Sequence, residues 1–362
     1  MIAEELPAIS KKKIARIAHD PAKTAAAIHL VYVTDTAPGI ARIKKGKAFD
    51  YVKGTDKITD EEELKRIRSL VIPPAWDNVW ICVLPNGHLQ ATGTDIKNRK
   101  QYKYHSLWNS LRNHTKFYRM LEFGNALPAM RLQLEKDLSL NGLPVEKVLA
   151  TVVSLMERTH IRIGNNFYEK LYGSFGLTTL KDNHVKISGG NLKFTFKGKK
   201  GVHHDISIKN KKLANIVQKC KEIPGKELFQ YYDENGNHRS IDSGMINEYI
   251  KKISDGGDFT AKDFRTWAGT VQAFLTFKEL GFYDTATEAK KKVVEALDTV
   301  AKQLGNTRTV CKKYYVHPDI IKMYEDKSLA KYFRELDAIE VDDNKTGLTA
   351  EEKIVMKILG TN

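Results

Sequence analysis

Val145, Val148, Leu149, Val152, Leu155 and Met156 recur on one side of a 3.6-residue period, and this stripe constrains the fold more than any other stretch of the chain. An apolar stripe of that width cannot face water, so the helix it marks belongs in a helical core. Further helical patterns at Asp242–Ile253, Ala261–Leu280, Ala286–Leu304, His317–Tyr324 and Ala350–Leu359 supply the partners. Upstream the period changes. Val79-Trp80-Ile81-Cys82-Val83 and His88-Leu89-Gln90-Ala91-Thr92 are β-type runs on either side of Pro85-Asn86-Gly87, which predicts a hairpin. Thr59 and Glu62 have the spacing of a capping box for a short helix that ends before Pro73-Pro74. The stretch through about Arg42 carries Lys11-Lys12-Lys13 and an alanine-rich segment, read as a short helix with a mobile arm.

A second strand-rich stretch interrupts the helices: Val185-Lys186-Ile187, Leu192-Lys193-Phe194-Thr195-Phe196 and Val202-His203-His204-Asp205-Ile206. The last two are joined by Lys197-Gly198-Lys199-Lys200-Gly201. The expected class is therefore α+β. A small, mainly β domain is expected over 1–115, and a larger, mainly helical domain with a small β-hairpin sheet over 116–362.

Lys and Arg outnumber Asp and Glu by 59 to 44 in 362 residues, a formal charge of +15. That excess favours a polyanionic partner, of which nucleic acid is the commonest, although many basic proteins are merely well solvated. Cys82, Cys220 and Cys311 are scattered and form neither a zinc spacing nor a disulfide framework, which fits a reducing compartment. No apolar run approaches membrane-spanning length, and Met1-Ile2-Ala3-Glu4-Glu5 lacks the basic-then-apolar order of a secretory signal. The cytoplasm is the expected location.

Absences narrow the chemistry. There is no Gly-x4-Gly-Lys-Ser/Thr loop, no Gly-x-Gly-x-x-Gly after a strand and no His-Glu-x-x-His. His203 and His204 alternate faces on a strand and so cannot easily ligate one metal as a pair; a satisfied or solvated role is the plainer reading. Asp342-Asp343 reads as surface. No cofactor is expected, and ATP-driven or metal-assisted reactions lose ground. What remains is a set of cationic and phenolic residues in unusual local settings. Arg162 lies where a long helix runs into a glycine break, Arg265 on the first turns of a helix, and Lys199 in the glycine-flanked turn. Tyr314-Tyr315 follows Asn306 and Lys312-Lys313 and precedes His317-Pro318. Each taken singly has a structural explanation, as a dipole partner, a solvated lysine or a packed phenol.

Their joint order carries more. Arg162, Lys199, Arg265, Asn306 and Tyr315 together resemble the catalytic set of the type IB topoisomerases of the bacterial and poxvirus kind, whose catalytic domain is shared with the tyrosine recombinases. The similarity runs from about Tyr51 to about Met323. It includes Ile72-Pro73-Pro74-Ala75-Trp76, Gly87-His88-Leu89-Gln90-Ala91-Thr92-Gly93, Arg99-Lys100-Gln101-Tyr102, Ile161-Arg162-Ile163-Gly164-Asn165, Lys262-Asp263-Phe264-Arg265-Thr266-Trp267, and Leu304-Gly305-Asn306-Thr307 through Tyr315-Val316-His317-Pro318. The resemblance implies relaxation of positive and negative supercoils through a 3′-phosphotyrosyl link, without ATP or metal. Tyr315 matches the nucleophile, in preference to Tyr314, because the family's tyrosine directly precedes the short hydrophobic residue and His-Pro. Arg162 and Arg265 match the arginines that hold the nonbridging oxygens, and Lys199 the hairpin lysine that protonates the leaving oxygen, with Lys197 and Lys200 as neighbours open to confusion with it. Asn306 stands where the poxvirus pattern has histidine and bacterial members commonly have asparagine. An amide donates a hydrogen bond but exchanges no proton near neutral pH, so its task there would be electrostatic.

The same resemblance implies double-stranded DNA as partner, no membrane, nucleoid association, and a monomer whose two domains close around the duplex as a clamp. Arg99, Lys100, Gln101, Tyr102 and Tyr104 alternate basic and aromatic character and suit phosphate and groove contacts, against the alternative of a charged β-edge. Tyr168 and Lys262 are added as phosphate contacts by transfer from the family. Two rivals remain. A tyrosine recombinase would use the same pocket, but normally has a helical N-terminal domain and a histidine three residues before the second arginine, where this chain has Lys262. A non-enzymatic basic protein would explain the charge but not the ordered set.

Overall fold

The computed structural model describes residues 20–46, 48–96, 98, 100–339 and 346–361, without the side chains of 112–116, 118 and 361. The lysine-rich segment at 11–13, Arg99 and the pair Asp342-Asp343 lie outside the described residues. The chain divides into two units, Met1–Arg119 and Met120–Asn362. The class is α+β, as expected.

In the first unit the alanine-rich segment forms α1 (Pro21–Ala26), and six strands follow: β1 (Ile40–Lys45), β2 (Ala48–Lys53), β3 (Asp56–Lys57), β4 (Asp77–Ile81), β5 (Leu89–Thr94) and β6 (Lys100–Tyr104). They form one antiparallel sheet in the order β3-β2-β1-β4-β5-β6, which leaves β6 at an edge. Helix α2 (Glu61–Ser69) contributes Ile67 to a core made with Ile40, Val79, Ile81 and Ala91. Its cap is a correction to the sequence reading. Asp60, not Thr59, is the N-cap, with its carboxylate accepting from Glu63 N at 3.0 Å. A charged acceptor at the helix's positive end is the stronger cap. The β4–β5 hairpin is present, but Pro85-Asn86-Gly87 is part of a longer connection. Buried Gln90 fixes it by donating to the carbonyls of Leu84, Pro85 and Gly87 at 3.2, 3.0 and 2.7 Å.

The second unit takes up the long helix α3 (Ser106–Leu138) from Met120 onward, and continues with α4 (Val145–Thr159) and α5 (Asn166–Tyr172). Helix α4 exceeds its predicted stripe. Ala150, Thr151, Val153 and Ser154 are buried along with the apolar face, so it is enclosed on all sides rather than lying on the surface. Next come β7 (Val185–Ser188), β8 (Asn191–Lys197) and β9 (His203–Lys209), an antiparallel meander at the predicted strands. Along β8 Leu192, Phe194 and Phe196 alternate inward with exposed neighbours, which is what a sheet with one wet face requires. Helix α6 (Lys211–Lys221) and the small pair β10 (Gln230–Tyr232) and β11 (His238–Ser240) were not anticipated.

The remaining helices are α7 (Ser243–Ile253), α8 (Ala261–Leu280), α9 (Ala286–Leu304), α10 (Arg308–Tyr314), α11 (Pro318–Glu325), α12 (Ala330–Asp337) and α13 (Ala350–Thr361). Helix α8 starts at a Thr260–Asp263 capping box, with Thr260 N donating to the Asp263 carboxylate at 2.8 Å. It ends at Gly281. Helix α9 ends at Gly305, whose φ of +57° is the left-handed turn that only glycine enters without strain. Helix α13 is tied to α8 by Glu352, which accepts from Trp267 Nε1 at 2.9 Å and from Arg131 at 2.8 Å. Among the described residues no helix is long and apolar enough to cross a membrane.

Candidate active site

Arg162, Arg265, Lys199, Asn306 and Tyr315 are separated by up to 153 positions, yet all lie in the second unit, the four ionisable ones in electrostatic reach of Arg162 or Arg265 and Asn306 hydrogen-bonded to Arg162. The loop after α4 carries Arg162. Its course is set by His160, which caps α4 in the left-handed conformation at φ +56°, and by backbone bonds from Leu177 N to Arg162 O at 2.9 Å and from Thr178 N to Ile163 O at 2.6 Å. Those two segments approach so closely that a Cβ at Gly176 would lie 2.6 Å from Arg162 O.

Both arginines are held by the C-terminal end of α9. Arg162 Nη2 donates to Gly305 O at 3.1 Å, and Arg265 Nη2 to Leu304 O at 2.7 Å. The unpaired carbonyls and negative pole of a helix C-terminus are well matched to guanidinium groups. Arg265 Nη1 donates to His160 O as well. Arg265 is only 5% exposed, so its position is fixed by these acceptors rather than by solvent. Burial lowers the pKa of both arginines, with Tyr315 pushing back in each case. Both remain cations at neutral pH.

Asn306 completes this edge. Its Oδ1 accepts from Arg162 Nη2 at 2.7 Å. Because a guanidinium only donates, this bond also orients the amide, and Nδ2 is left buried with no acceptor. An unsatisfied buried donor beside two arginines is the arrangement expected where an anionic oxygen is to be received.

Tyr315 does not lie within a helix. Helix α10 ends at Tyr314, and Tyr315, at φ −131° and ψ −9°, is the capping residue beyond it. Tyr315 N and Val316 N both reach Cys311 O, at 2.9 and 3.1 Å, which closes the last turn. The backbone is then pinned to α8: Thr270 Oγ1 donates to Tyr315 O at 3.3 Å and accepts from His317 N at 3.0 Å. Gly269 permits this approach, since a Cβ there would lie 2.5 Å from Tyr315 O. The Arg265 guanidinium carbon sits 5.4 Å from the centroid of the Tyr315 ring, whereas Tyr314 packs under Lys313 Nζ at 5.4 Å. Cys311, one turn before Tyr315, is fully buried with its thiol pushed up to about 11 by burial, so it offers no competing thiolate.

Lys199 starts a tight turn between β8 and β9 in which Gly198 N donates to Val202 O at 2.7 Å and Lys200 takes a φ of +61°. Its side chain is exposed, but its ammonium is held below the ordinary lysine range, first by the protein around it and then by Arg162, with Lys200 and Arg265 adding to the effect and Tyr315 opposing it.

His204 is a member that sequence reasoning passed over. Its ring stacks on Phe196 at 4.9 Å and lies against both Gly198 and Gly305. Burial, then Arg162 and Arg265, lower its pKa, so the imidazole is neutral at pH 7. The signal was available in the β-strand alternation, which puts His203 outward and His204 inward. The DNA-contact expectations fare differently. Lys100 pairs with Asp35 at 2.5 Å and Gln101 donates to Asp95 at 2.9 Å, both on edge strand β6. Tyr102 is 48% exposed and stacked on Tyr104 at 6.0 Å. Tyr168 packs between Phe167 and Tyr172 on α5, and Lys262 is exposed on the first turn of α8. Among the described residues no group of His, Cys, Asp and Glu side chains is placed to hold a metal ion.

Residues 101–340 match the family model of the eukaryotic DNA topoisomerase I catalytic core, and residues 48–95 that of the bacterial DNA topoisomerase IB N-terminal domain. The chain belongs to the type IB DNA topoisomerases. Among members of this family it is 32% identical over 297 residues to the DNA topoisomerase 1B of Acanthamoeba polyphaga mimivirus, covering 80% of this chain and 88% of the relative. It is 23% identical over 238 residues to the DNA topoisomerase 1B of vaccinia virus (strain Copenhagen), covering 65% of this chain and 72% of the relative. The DNA topoisomerase I of monkeypox virus matches to the same extent. The type IB family model for the catalytic core spans all of Arg162, Lys199, Arg265, Asn306 and Tyr315.

Proposed function

We propose that this type IB topoisomerase relaxes positive and negative supercoils by transient cleavage of one strand of double-stranded DNA, with Tyr315 as nucleophile. The observation that carries this reading is the convergence of Arg162, Arg265, Lys199 and the unsatisfied Asn306 amide around a single phenol.

The Tyr315 hydroxyl oxygen attacks the phosphorus, a 3′-phosphotyrosyl bond forms and the bond to the 5′ oxygen breaks. The phenolic proton passes to solvent. Arg162, Arg265 and Asn306 donate to the nonbridging oxygens, where charge accumulates as the new bond forms; fixed donors aimed at developing charge are the largest catalytic contribution in such sites. The 5′ alkoxide is a poor leaving group, and Lys199 hands it a proton. A lysine lowered by neighbouring cations releases that proton more readily. The phosphodiester is conserved as a phosphotyrosine, so the freed 5′-hydroxyl strand rotates and the reverse reaction reseals it. The torsion already in the DNA drives relaxation, and no step calls on a nucleotide or a metal.

Arg99, Lys100, Gln101, Tyr102, Tyr104, Tyr168 and Lys262 are assigned to DNA contact, with 1–115 as the clamping domain and 116–362 as the catalytic one. The enzyme would act on nucleoid DNA as a monomer that encloses the duplex. Lys100 and Gln101 must exchange Asp35 and Asp95 for phosphate to do so.

The test is relaxation of positively and negatively supercoiled plasmid with EDTA present and ATP absent. Relaxation of both signs supports the reading. No relaxation with DNA binding intact would turn the assignment toward a strand-exchange enzyme.

A further inference from the structure

The lysine turn and the Asn306 loop lie far apart in the sequence of the catalytic unit, and one side chain lies between them. A Cβ built on Gly198 would meet His204 Nε2 at 2.6 Å, and one built on Gly305 would meet His204 Cε1 at 2.6 Å. Gly198 directly precedes Lys199, and Gly305 directly precedes Asn306 and gives its carbonyl to Arg162. The imidazole therefore fills the gap between the two loops, with Phe196 stacked against it at an interplanar angle of 21°. The register of the hairpin keeps it there, because His204 pairs with Phe196 directly across β8 and β9. A close-packed ring between two backbones transmits position, since interiors of this density do not deform smoothly.

We propose that His204 is a positioning residue: its ring, wedged between Gly198 and Gly305, holds the lysine turn in register with the loop that seats Arg162 and Asn306, and so sets the reach of Lys199 to the leaving oxygen. This rests on the reading of Lys199 as the proton donor. Loss of the ring leaves both loops folded but frees the turn, so the lesion falls on proton delivery rather than on charge stabilisation. Phenylalanine, of similar shape, keeps the wedge.

The experiment is single-turnover cleavage by the full-length enzyme of a duplex whose scissile phosphate carries either the normal 5′ oxygen or a bridging 5′ sulfur. A thiolate leaves without a proton, so sulfur bypasses the donor. His204→Ala is expected to slow the oxygen substrate roughly ten- to a hundredfold, at or below the lower end of a general acid's full contribution, and to cleave the sulfur substrate at close to the wild-type rate. His204→Phe is expected to stay near wild type on both. Gly198→Ala, whose new Cβ would displace the ring, is expected to reproduce His204→Ala, and it serves in its place where His204→Ala does not fold. Three results overturn the proposal: an unchanged oxygen rate in His204→Ala or Gly198→Ala, an equal loss on oxygen and sulfur, or a phenylalanine variant as slow as alanine. Lys199→Ala is the control. Its failure to be rescued by sulfur would remove the reading of Lys199 itself, and with it this role for His204.

Discussion

Arg162 Nη2 donates to Asn306 Oδ1 at 2.7 Å, which turns the asparagine's amide nitrogen away from the arginine and leaves it buried without an acceptor. The pair therefore presents a cation and a neutral donor side by side, oriented by a single bond. Asn306→Ala removes the neutral donor, and cleavage is expected to fall by roughly ten- to a hundredfold, at or below the loss usual for one donor in a charge-stabilising pocket. Asn306→Asp keeps the bond to Arg162 but adds a negative charge facing the phosphate, and should be slower than alanine. Arg265→Ala should be the slowest of the three. Cleavage rates on a suicide substrate give the order, and an aspartate variant as fast as wild type would contradict it.

Tyr315→Phe is expected to bind DNA with unchanged affinity and form no covalent adduct on denaturation with detergent. Tyr314→Phe should form the adduct normally, since that ring lies beside Lys313 and not Arg265. The reverse pattern would reassign the nucleophile.

The pH dependence has a definite sign. In the proposed mechanism Lys199 acts protonated, and burial and then Arg162 hold its pKa below the ordinary lysine value. Cleavage should therefore be lost as pH rises through the depressed pKa, earlier on the alkaline side than an ordinary lysine would allow. That limb should vanish with the 5′ sulfur substrate. A limb identical on oxygen and sulfur would assign the titration to another group.

Gly269→Ala tests how Tyr315 is anchored. The added Cβ would sit 2.5 Å from Tyr315 O and must displace it, which also strains the bond from Thr270. Reacting atoms moved by about 1 Å commonly cost two orders of magnitude in rate. The variant should keep DNA binding and lose single-turnover cleavage by about that factor; a wild-type rate would mean that the tyrosine's backbone is not what places it.

His160 predicts an acid limit to stability. Burial, then Arg265, depress its pKa to about 4 from 6.5. The unfolded chain thus takes up a proton that the folded one refuses, so stability is fully present above pH 6.5 and declines as pH falls toward 4. His160→Gln should flatten that part of the Tm-against-pH curve while keeping the carbonyl that Arg265 uses. An unchanged curve would place the acid sensitivity elsewhere.

Much of this was legible beforehand because periodicity and capping act locally. Helices α8 and α9 have the bounds that their apolar spacing and flanking Thr and Gly residues predict. The meander β7–β9 followed from its alternation. The ordered set of candidate residues was visible through family resemblance, since the glycine break at Arg162 and the glycine-flanked turn at Lys199 each have a structural explanation when taken singly. What was missed depends on contacts remote in sequence. The carbonyls of His160, Leu304 and Gly305 that hold the arginines have no side-chain signature. His204 was set aside because it and His203 alternate faces on a strand and cannot easily ligate one metal, and only Gly198 and Gly305 meeting its ring give it a place. The Asp60 cap was decided between two neighbouring side chains, Thr59 and Asp60, that spacing alone does not rank.

The Thr270 hydroxyl binds Tyr315 O and His317 N at once, on the helix that also bears Arg265. In the proposed covalent state Tyr315 holds the 3′ end of the broken strand while the freed 5′-hydroxyl end rotates. The Thr270 hydroxyl ties that held end to α8, whose buried face runs through Trp267, Phe274 and Phe277. Substrate clamp and tether thus share one beam, and a movement of α8 carries both together rather than drawing the tyrosine away from the arginine it would meet again to reseal the break.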